Sequence, residues 1–123
     1  MIVCLRTVRL PPDQRDGFLS WIDDNGELRR QHGILAELVL ERSPRQNPAK
    51  TLQPEDDREP DELVVITVWP DHDTFDAWID TPDRDRLTAS PTHEAVEFRP
   101  LVRYDLVGGY LADAITSATG GQP

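Results

Sequence analysis

Two short segments of the chain share one pattern of hydrophobic and acidic positions, F-x-x-W-I-D, at residues 18–23 and again at residues 75–80. Phe, Trp and Ile at the first, fourth and fifth positions lie on one face of a helix. Each segment follows an apolar, strand-like run that contains a Thr-Val pair. The pattern predicts one strand–helix unit used twice, although any amphipathic helix can show this spacing by chance.

The first half of the chain reads as strand, helix and strand, over residues 2–10, 12–31 and 34–42. Both strands are rich in β-branched and apolar residues. The helix has a weak point at Asn25, because the Asn-Gly pair there favours a turn and Gly costs about 1 kcal/mol against Ala in a helix. The glycine that follows the helix, Gly33, predicts a left-handed cap.

The second half repeats this order after a long connection. Residues 43–62 hold four prolines and many charges without periodicity, which predicts a mobile insertion between two antiparallel strands. A third strand is predicted over residues 63–69, and its helix begins after an N-cap run that starts at Asp71. Two short helices that begin with Pro follow. A fourth strand is predicted over residues 97–106, where Pro100 marks a sheet edge or a bulge.

The order βαβ–βαβ predicts an α+β fold for a single domain over residues 1–110, followed by a flexible C-terminal tail over residues 111–123. Two right-handed βαβ units that share a sheet give the ferredoxin-like βαββαβ arrangement, an antiparallel four-stranded sheet with both helices on one face. The strands keep apolar residues on both alternations, so the other face must also be covered. A second copy packed sheet to sheet is the simplest cover, which predicts a homodimer.

Composition narrows the classes of function. The chain has 123 residues and a formal net charge of −10, from 23 acidic and 13 basic residues. An acidic surface repels phosphate backbones and anionic lipid, so no nucleic-acid or membrane partner is expected. No apolar stretch approaches the roughly 18 residues that span a bilayer, and no signal peptide precedes the first strand, which favours a cytoplasmic protein. The single cysteine, Cys4, is expected to be a small buried hydrophobe.

The second half of the sequence resembles a known family. The run VITVWPDHDTFDAWI at residues 65–79, the Thr-Pro pair after it and the strand LVRYDL at residues 101–106 are similar to the antibiotic biosynthesis monooxygenase (ABM) family. The similarity covers about residues 1–42 and 62–110. It implies a dimeric α/β barrel with a cavity between the sheet and the helices of each subunit.

The resemblance implies more than one reaction. Some members of the family oxygenate aromatic polyketides or quinols without metal or flavin, and others bind haem and open its ring. The haem-opening members use a Trp that matches Trp78, an Asn on the first strand and an iron-ligating His. Here the ligand position falls at or near Thr88, and the Asn position falls at Arg6 or Thr7. Haem iron then lacks an evident ligand unless the loop brings His93 back, so haem degradation is disfavoured and no cofactor is expected.

Oxygenation without a cofactor requires a base for a phenolic proton, hydrogen-bond donors and aromatic walls. The candidate catalytic residues are His93 and His72, because histidine titrates near neutrality. The candidate pocket-lining residues are Trp78, Phe75, Tyr104 and Arg6. A buried Arg in this fold would need an anionic ligand or a paired carboxylate. The plainer interpretations are a solvated turn residue for His72 and core packing for the aromatic side chains, and no metal-ligand spacing is present.

The sequence therefore predicts a cofactor-independent monooxygenase of the ABM type that acts on a phenolic or quinol aromatic with oxygen. The alternative is a non-catalytic dimeric small-molecule-binding or structural protein of the same fold, whose cavity is filled by its own tryptophans. The two differ in whether a cavity beside Trp78 has a His or Tyr in its lining. The first copy of the repeat, around Trp21, has no counterpart in the family and is expected to be core.

Overall fold

The computed structural model describes residues 1–54 and 61–110. In chain order its elements are β1 (Ile2–Arg9), a 3-10 turn (Pro12–Gln14), α1 (Arg15–Asp24), α2 (Gly26–Gln31), β2 (Ala36–Leu40), β3 (Glu62–Trp69), α3 (His72–Ile79), α4 (Pro82–Thr88), α5 (Pro91–Glu94), β4 (Glu97–Phe98) and β5 (Val102–Asp105). The predicted C-terminal tail lies outside the described residues, as does part of the predicted insertion. In the described part of that insertion, residues 43–54 contain no helix or strand, whereas Glu62 already belongs to β3.

The strands form one antiparallel sheet that confirms the predicted ferredoxin-like α+β fold. The order is β2–β3–β1–β4. Two strands pair with different parts of β1: β4 with its last two residues, Val8 and Arg9, and β5 with its first four, residues 2–5. The central strands β1 and β3 pair along their whole length, from Ile2 opposite Trp69 to Arg9 opposite Glu62. β2 pairs antiparallel with β3, so the long connection joins two antiparallel neighbours as predicted.

Two predicted elements are interrupted. The single helix expected over residues 12–31 breaks at Asn25, whose side-chain amide donates to the carbonyl oxygen of Trp21 at 2.7 Å. That bond competes with the backbone ladder, which is why Asn disfavours helix interiors. The single strand expected over residues 97–106 is split into β4 and β5, because Pro100 has no N–H to donate and interrupts the pairing with β1.

The capping residues that the sequence predicts are confirmed at the ends of four helices. The Asp71 carboxylate accepts from the backbone N–H of Thr74 and caps α3. Thr81 caps α4 and Ser90 caps α5 in the same way, each with Pro as the first helical residue. Gly33 has a φ of 101° and closes α2 with the left-handed turn expected of it.

The two faces of the sheet have different cover. The register places Ile2, Cys4 and Val8 of β1 on the face beneath the helices, where all three are buried. The opposite face carries apolar residues from four strands, and no element of the described chain covers it. Several of its side chains are about half exposed, namely Leu38, Leu40, Val102 and Tyr104. Among the described residues, no helix is both long enough and apolar enough to cross a bilayer.

The core beneath the helices divides into two clusters. One gathers around Trp69 and Trp78 with Ile2, Cys4, Ile34 and Phe75. The other gathers around Phe18 and Val8 with Leu10, Leu63 and Val96. Arg6 lies between Cys4 and Val8 on the same face of β1, so a charged side chain separates the two apolar clusters.

Candidate active site

A cleft of about 140 Å³ lies between the helices and the sheet, where the two core clusters meet. Its volume is close to the roughly 150 Å³ of an engineered protein cavity that holds benzene. Both copies of the F-x-x-W-I-D repeat contribute their aromatic and Ile side chains to its walls. The lining residues that bear on the chemistry are Arg6, Trp21, Arg29, Glu37, Thr67, Trp69, Phe75, Trp78, Arg84, Thr88, His93 and Phe98.

His93 lies in this cleft because the Ser90-capped α5 turns the chain back over the sheet before β4. Its imidazole stacks on Phe98, with ring centroids 4.3 Å apart and planes 21° apart, and it meets Trp21 at 5.7 Å. Burial lowers the pKa of His93 below its usual 6.5, and the positive charges of Arg84 and Arg6 lower it further. At neutral pH the ring is therefore unprotonated and able to accept a proton.

Arg6 brings an unpaired charge into the cleft. Its guanidinium lies over the ring of Phe98, 5.5 Å from the centroid. Its Nε is buried, and no atom of the described residues accepts a hydrogen bond from it. Burial lowers the pKa of Arg6, and the charge of Arg84 lowers it further. The residue thus pays a desolvation cost that no described carboxylate offsets.

A second arginine in the cleft, Arg29, is fully paired. Its Nε donates to the Glu37 carboxylate at 3.0 Å and its Nη2 contacts the same oxygen at 2.9 Å. Arg29 also donates to the carbonyl oxygen of Ile22 and lies 6.0 Å from the Trp21 ring centroid. Burial raises the pKa of Glu37, and Arg29 opposes that rise. This pair ties α2 to β2 and fixes one end of the cleft.

The two tryptophans of the repeat lie at different ends of the cleft. Trp78 packs against Trp69, with centroids 6.4 Å apart, and against His32 at 4.9 Å. Trp21 instead contacts the His93 and Arg29 side chains. Trp21 packs against the second core cluster, as expected, and it also lines the cleft beside the candidate base.

The predicted site residues divide into two groups. Four of them line the cleft as expected: His93, Trp78, Phe75 and Arg6. His72 does not: it begins α3 at the surface, where its Nε2 lies 2.8 Å from the Asp105 carboxylate. This agrees with its plainer interpretation as a solvated turn residue and corrects its choice as a candidate base. Tyr104 pairs with Val3 in the sheet register, which turns its side chain to the opposite face. Its predicted lining position is corrected as well.

Three of the lining residues that the sequence did not predict are Arg84, Glu37 and Thr67. Arg84 projects from α4, and nothing in the spacing of that short helix distinguishes it from Arg86. Glu37 did carry a signal, because strand alternation places this charged residue on the same face as Val39 rather than with Leu38 and Leu40. Thr67 accepts from the indole N–H of Trp69 at 3.0 Å and holds that ring in place.

Haem does not fit this cleft as described. Thr88 and His93 both line it, so the chain turns back far enough to bring His93 into the cleft. The cleft volume of about 140 Å³ opposes haem binding, because pockets for drug-sized ligands begin near 300 Å³. A porphyrin is larger than most drug-sized ligands. In residues 1–54 and 61–110, no cluster of three or more His, Cys, Asp or Glu side chains has the arrangement of a metal site.

Known structures share this fold. HapK from Hahella chejuensis has a TM-score of 0.67 at 21% identity, over 91% of this chain and 99% of that one. SnoaB, a cofactor-independent oxygenase from Streptomyces nogalater, has a TM-score of 0.61 at 15% identity, over 88% and 94%. An MhuD variant with two manganese protoporphyrin IX molecules in each active site has a TM-score of 0.63 at 14% identity, over 91% and 100%.

The sequence comparisons add the family. No curated protein of similar sequence was found. The family model for antibiotic biosynthesis monooxygenases matches residues 1–88, which include both copies of the repeat and end at Thr88. His93 and the last strands lie beyond that match. The chain therefore belongs to the antibiotic biosynthesis monooxygenase family.

Proposed function

We propose that the protein is a cofactor-independent monooxygenase whose substrate is a phenolic or quinol aromatic. The observation that carries the proposal is His93, an imidazole held unprotonated against Phe98 and Trp21 inside an aromatic cleft. Membership of the family and the fold shared with a cofactor-independent oxygenase support it. The protein has the groups that this chemistry needs, namely a base, a cation and an aromatic wall.

The reaction makes limited demands on the protein. His93 takes the phenolic proton, and the phenolate transfers one electron to molecular oxygen. The resulting phenoxyl radical and superoxide combine to form a carbon–oxygen bond. Cleavage of the oxygen–oxygen bond and loss of the ring proton at that carbon leave a carbonyl and release one water. The substrate loses four electrons, and oxygen accepts them, with one atom in the quinone and the other in water.

The size of the cleft sets how the substrate enters. A volume of about 140 Å³ accepts one aromatic ring. A fused-ring substrate must therefore leave part of its surface outside the cleft or move side chains at its edge. Thr88 and Arg84 on the short helix α4 are among the partly exposed lining residues where such a movement can occur.

The test is oxygen uptake with a panel of one-, two- and three-ring hydroxylated aromatics, including hydroxylated naphthalenes and anthracenes, by protein treated with a metal chelator. Labelled oxygen gas should place one labelled atom in the product. His93→Gln should lower kcat about 10²- to 10⁴-fold, the usual contribution of a general base. His72→Gln is the matched control, because His72 lies at the surface and should leave the rate within about twofold.

The alternative, a non-catalytic binding protein, is favoured by the small volume of the cleft, much of whose wall is tryptophan. Saturable binding of the panel without oxygen uptake above the buffer background would support it and contradict the monooxygenase. A haem titration run in parallel should give no Soret shift of defined stoichiometry, because the cleft is too small for a porphyrin.

We also propose that the open face of the sheet packs against a second copy of the chain. Its apolar residues come from four strands, and side chains such as Leu38 and Tyr104 are about half exposed in a single chain. Light scattering at micromolar concentration should give twice the 14.0 kDa chain mass, whereas a 14 kDa particle would contradict this packing. A cytoplasmic location stays a prediction of the sequence.

A further inference from the structure

The charge of the cleft is opposite to that of the whole chain. The chain carries a net charge of −10, yet the described lining contains three arginines and one carboxylate. Glu37 neutralises Arg29, with which it forms an ion pair. Arg6 and Arg84 are left as two positive charges without a carboxylate partner among the residues described. An acidic protein that concentrates uncompensated positive charge in its cleft attracts anions to that cleft.

The position of these charges points to a ligand rather than to packing. Arg6 lies in the middle of β1, between two apolar clusters, where Leu or Val would pack without a desolvation cost. Its guanidinium is oriented by the Phe98 ring and shares the cleft with the His93 ring. Arg6, Arg84 and His93 all line the cleft, and the charge of Arg84 lowers the pKa of both Arg6 and His93. An anion placed there would relieve this repulsion.

A phenolate formed during the reaction supplies one negative charge for only part of the cycle, while two positive charges are present throughout. From this we infer that the cleft selects aromatic rings that carry a permanent anionic group, a ring carboxylate, with Arg6 and Arg84 as the residues that bind it. The inference rests on the proposed function only in placing the ligand in this cleft. It concerns recognition, and it involves no oxygen chemistry.

The test measures binding without oxygen, using two probes of nearly the same shape, one with an anionic and one with a neutral ring substituent. 4-Hydroxybenzoate and its neutral isostere 4-hydroxybenzamide each fill one ring, and their binding is followed anaerobically by calorimetry and tryptophan fluorescence. The carboxylate should bind about 10- to 100-fold more tightly, the range expected for a charge-assisted hydrogen bond. Equal affinities, tighter binding of the amide, or no binding of either probe would overturn the inference.

Two arginines on one helix give a matched pair of variants. Arg84→Met should lose most of the preference for the carboxylate, because Arg84 lines the cleft. Arg86→Met should keep the preference for the carboxylate, because the Arg86 side chain is 74% exposed and pairs with Asp83 outside the cleft. Loss of the preference in both would show a general charge effect and would contradict the assignment.

Arg6 gives the second pair of variants. Arg6→Met should abolish the preference and Arg6→Lys should keep part of it, with circular dichroism confirming that each variant is folded. If Arg6→Met does not fold, Arg6→Lys and the α4 pair still decide the question. Should both arginine deletions keep the full preference, the inference fails.

The outcome separates this inference from the proposed function. Selective carboxylate binding without any oxygen uptake would leave the anion site standing and remove the monooxygenase. Oxygen uptake with neutral phenols, with no binding preference for the carboxylate, would support the monooxygenase and contradict the anion site.

Discussion

The two copies of F-x-x-W-I-D are nearly identical in sequence, yet their tryptophans have different surroundings. Trp78 of α3 is 6% exposed and packs against Trp69 and His32. Trp21 of α1 is only partly buried and contacts His93 and Arg29. The Trp78 ring is buried, whereas the Trp21 ring is partly exposed beside the His93 and Arg29 side chains.

The difference comes from the elements that pack beside each helix. α3 lies against the buried end of β3 and the turn after α2, which supply aromatic and aliphatic side chains. α1 lies against α5 and the short β4, which supply His93 and Phe98. The sequence repeat therefore indicates a repeated strand–helix unit, while the surroundings of each tryptophan depend on neighbouring segments that are not repeated.

The largest expected difference between the copies is in stability. Trp78→Ala removes a buried aromatic side chain and should lower the free energy of unfolding by about 3–5 kcal/mol. Trp21→Ala should cost about 1–2 kcal/mol, since water already reaches part of that ring. Urea denaturation of both variants measures this, and equal losses would contradict the unequal burial.

The ion pair beside each tryptophan gives the next largest difference. Glu37→Gln leaves Arg29 buried and unpaired next to Trp21, and should cost about 2–3 kcal/mol. Asp83→Asn breaks the contact with His32 beside Trp78, where both side chains are more than a quarter exposed. That change should cost less than about 1 kcal/mol. If Asp83→Asn cost more stability than Glu37→Gln in thermal or urea unfolding, the Arg29–Glu37 pair would not be the more buried of the two pairs.

A conservative change at each tryptophan compares their effects on ligand binding. Trp21→Leu should weaken binding of a one-ring phenol about 2- to 10-fold, the range expected from losing one aromatic contact. Trp78→Phe keeps a ring in the core and should change affinity by less than twofold. Calorimetry on the folded variants decides this, and a larger effect at Trp78 would reverse the comparison.

The smallest effect is a pH dependence of stability that belongs to the Trp21 side. The pKa of His93 is lower in the folded protein than the value near 6.5 of the unfolded chain, so the unfolded state binds more protons between these two values. Stability is fully present above about pH 6.5 and is lost as the pH falls through the folded pKa. His93→Gln should remove this part of the acid loss in urea unfolding, and an unchanged pH profile would contradict it.

Much of the fold was predictable because its signals are local. Hydrophobic alternation and the proline stops gave the strand order, and the residues before Pro82 and Pro91 cap their helices as expected. The break at Asn25 and the split at Pro100 were marked by weak points but depended on competing hydrogen bonds. These two are errors of length rather than of topology.

The site was less predictable because it depends on contacts between distant segments. His93 and Arg6 share the Phe98 ring although they are far apart in sequence. Arg84 and Arg86 differ only in the side of a short helix on which they fall. Tyr104 was assigned to the cleft, but the β1–β5 register turns it to the other face. The sequence alone identified the kinds of residue that the site needs. The strand register and the helix packing determine which of them lie together in the cleft.

The most direct test of His93 as the base is the pH profile of kcat/KM for a phenolic substrate. As pH rises, the wild-type rate should increase through a single ionisation whose pKa lies below 6.5, the direction in which burial and the two arginines move His93. Trp21→Leu should move that ionisation to higher pH because water reaches the imidazole, and His93→Gln should remove it. A rate that rises only above pH 6.5, or that keeps its profile in His93→Gln, would contradict the account.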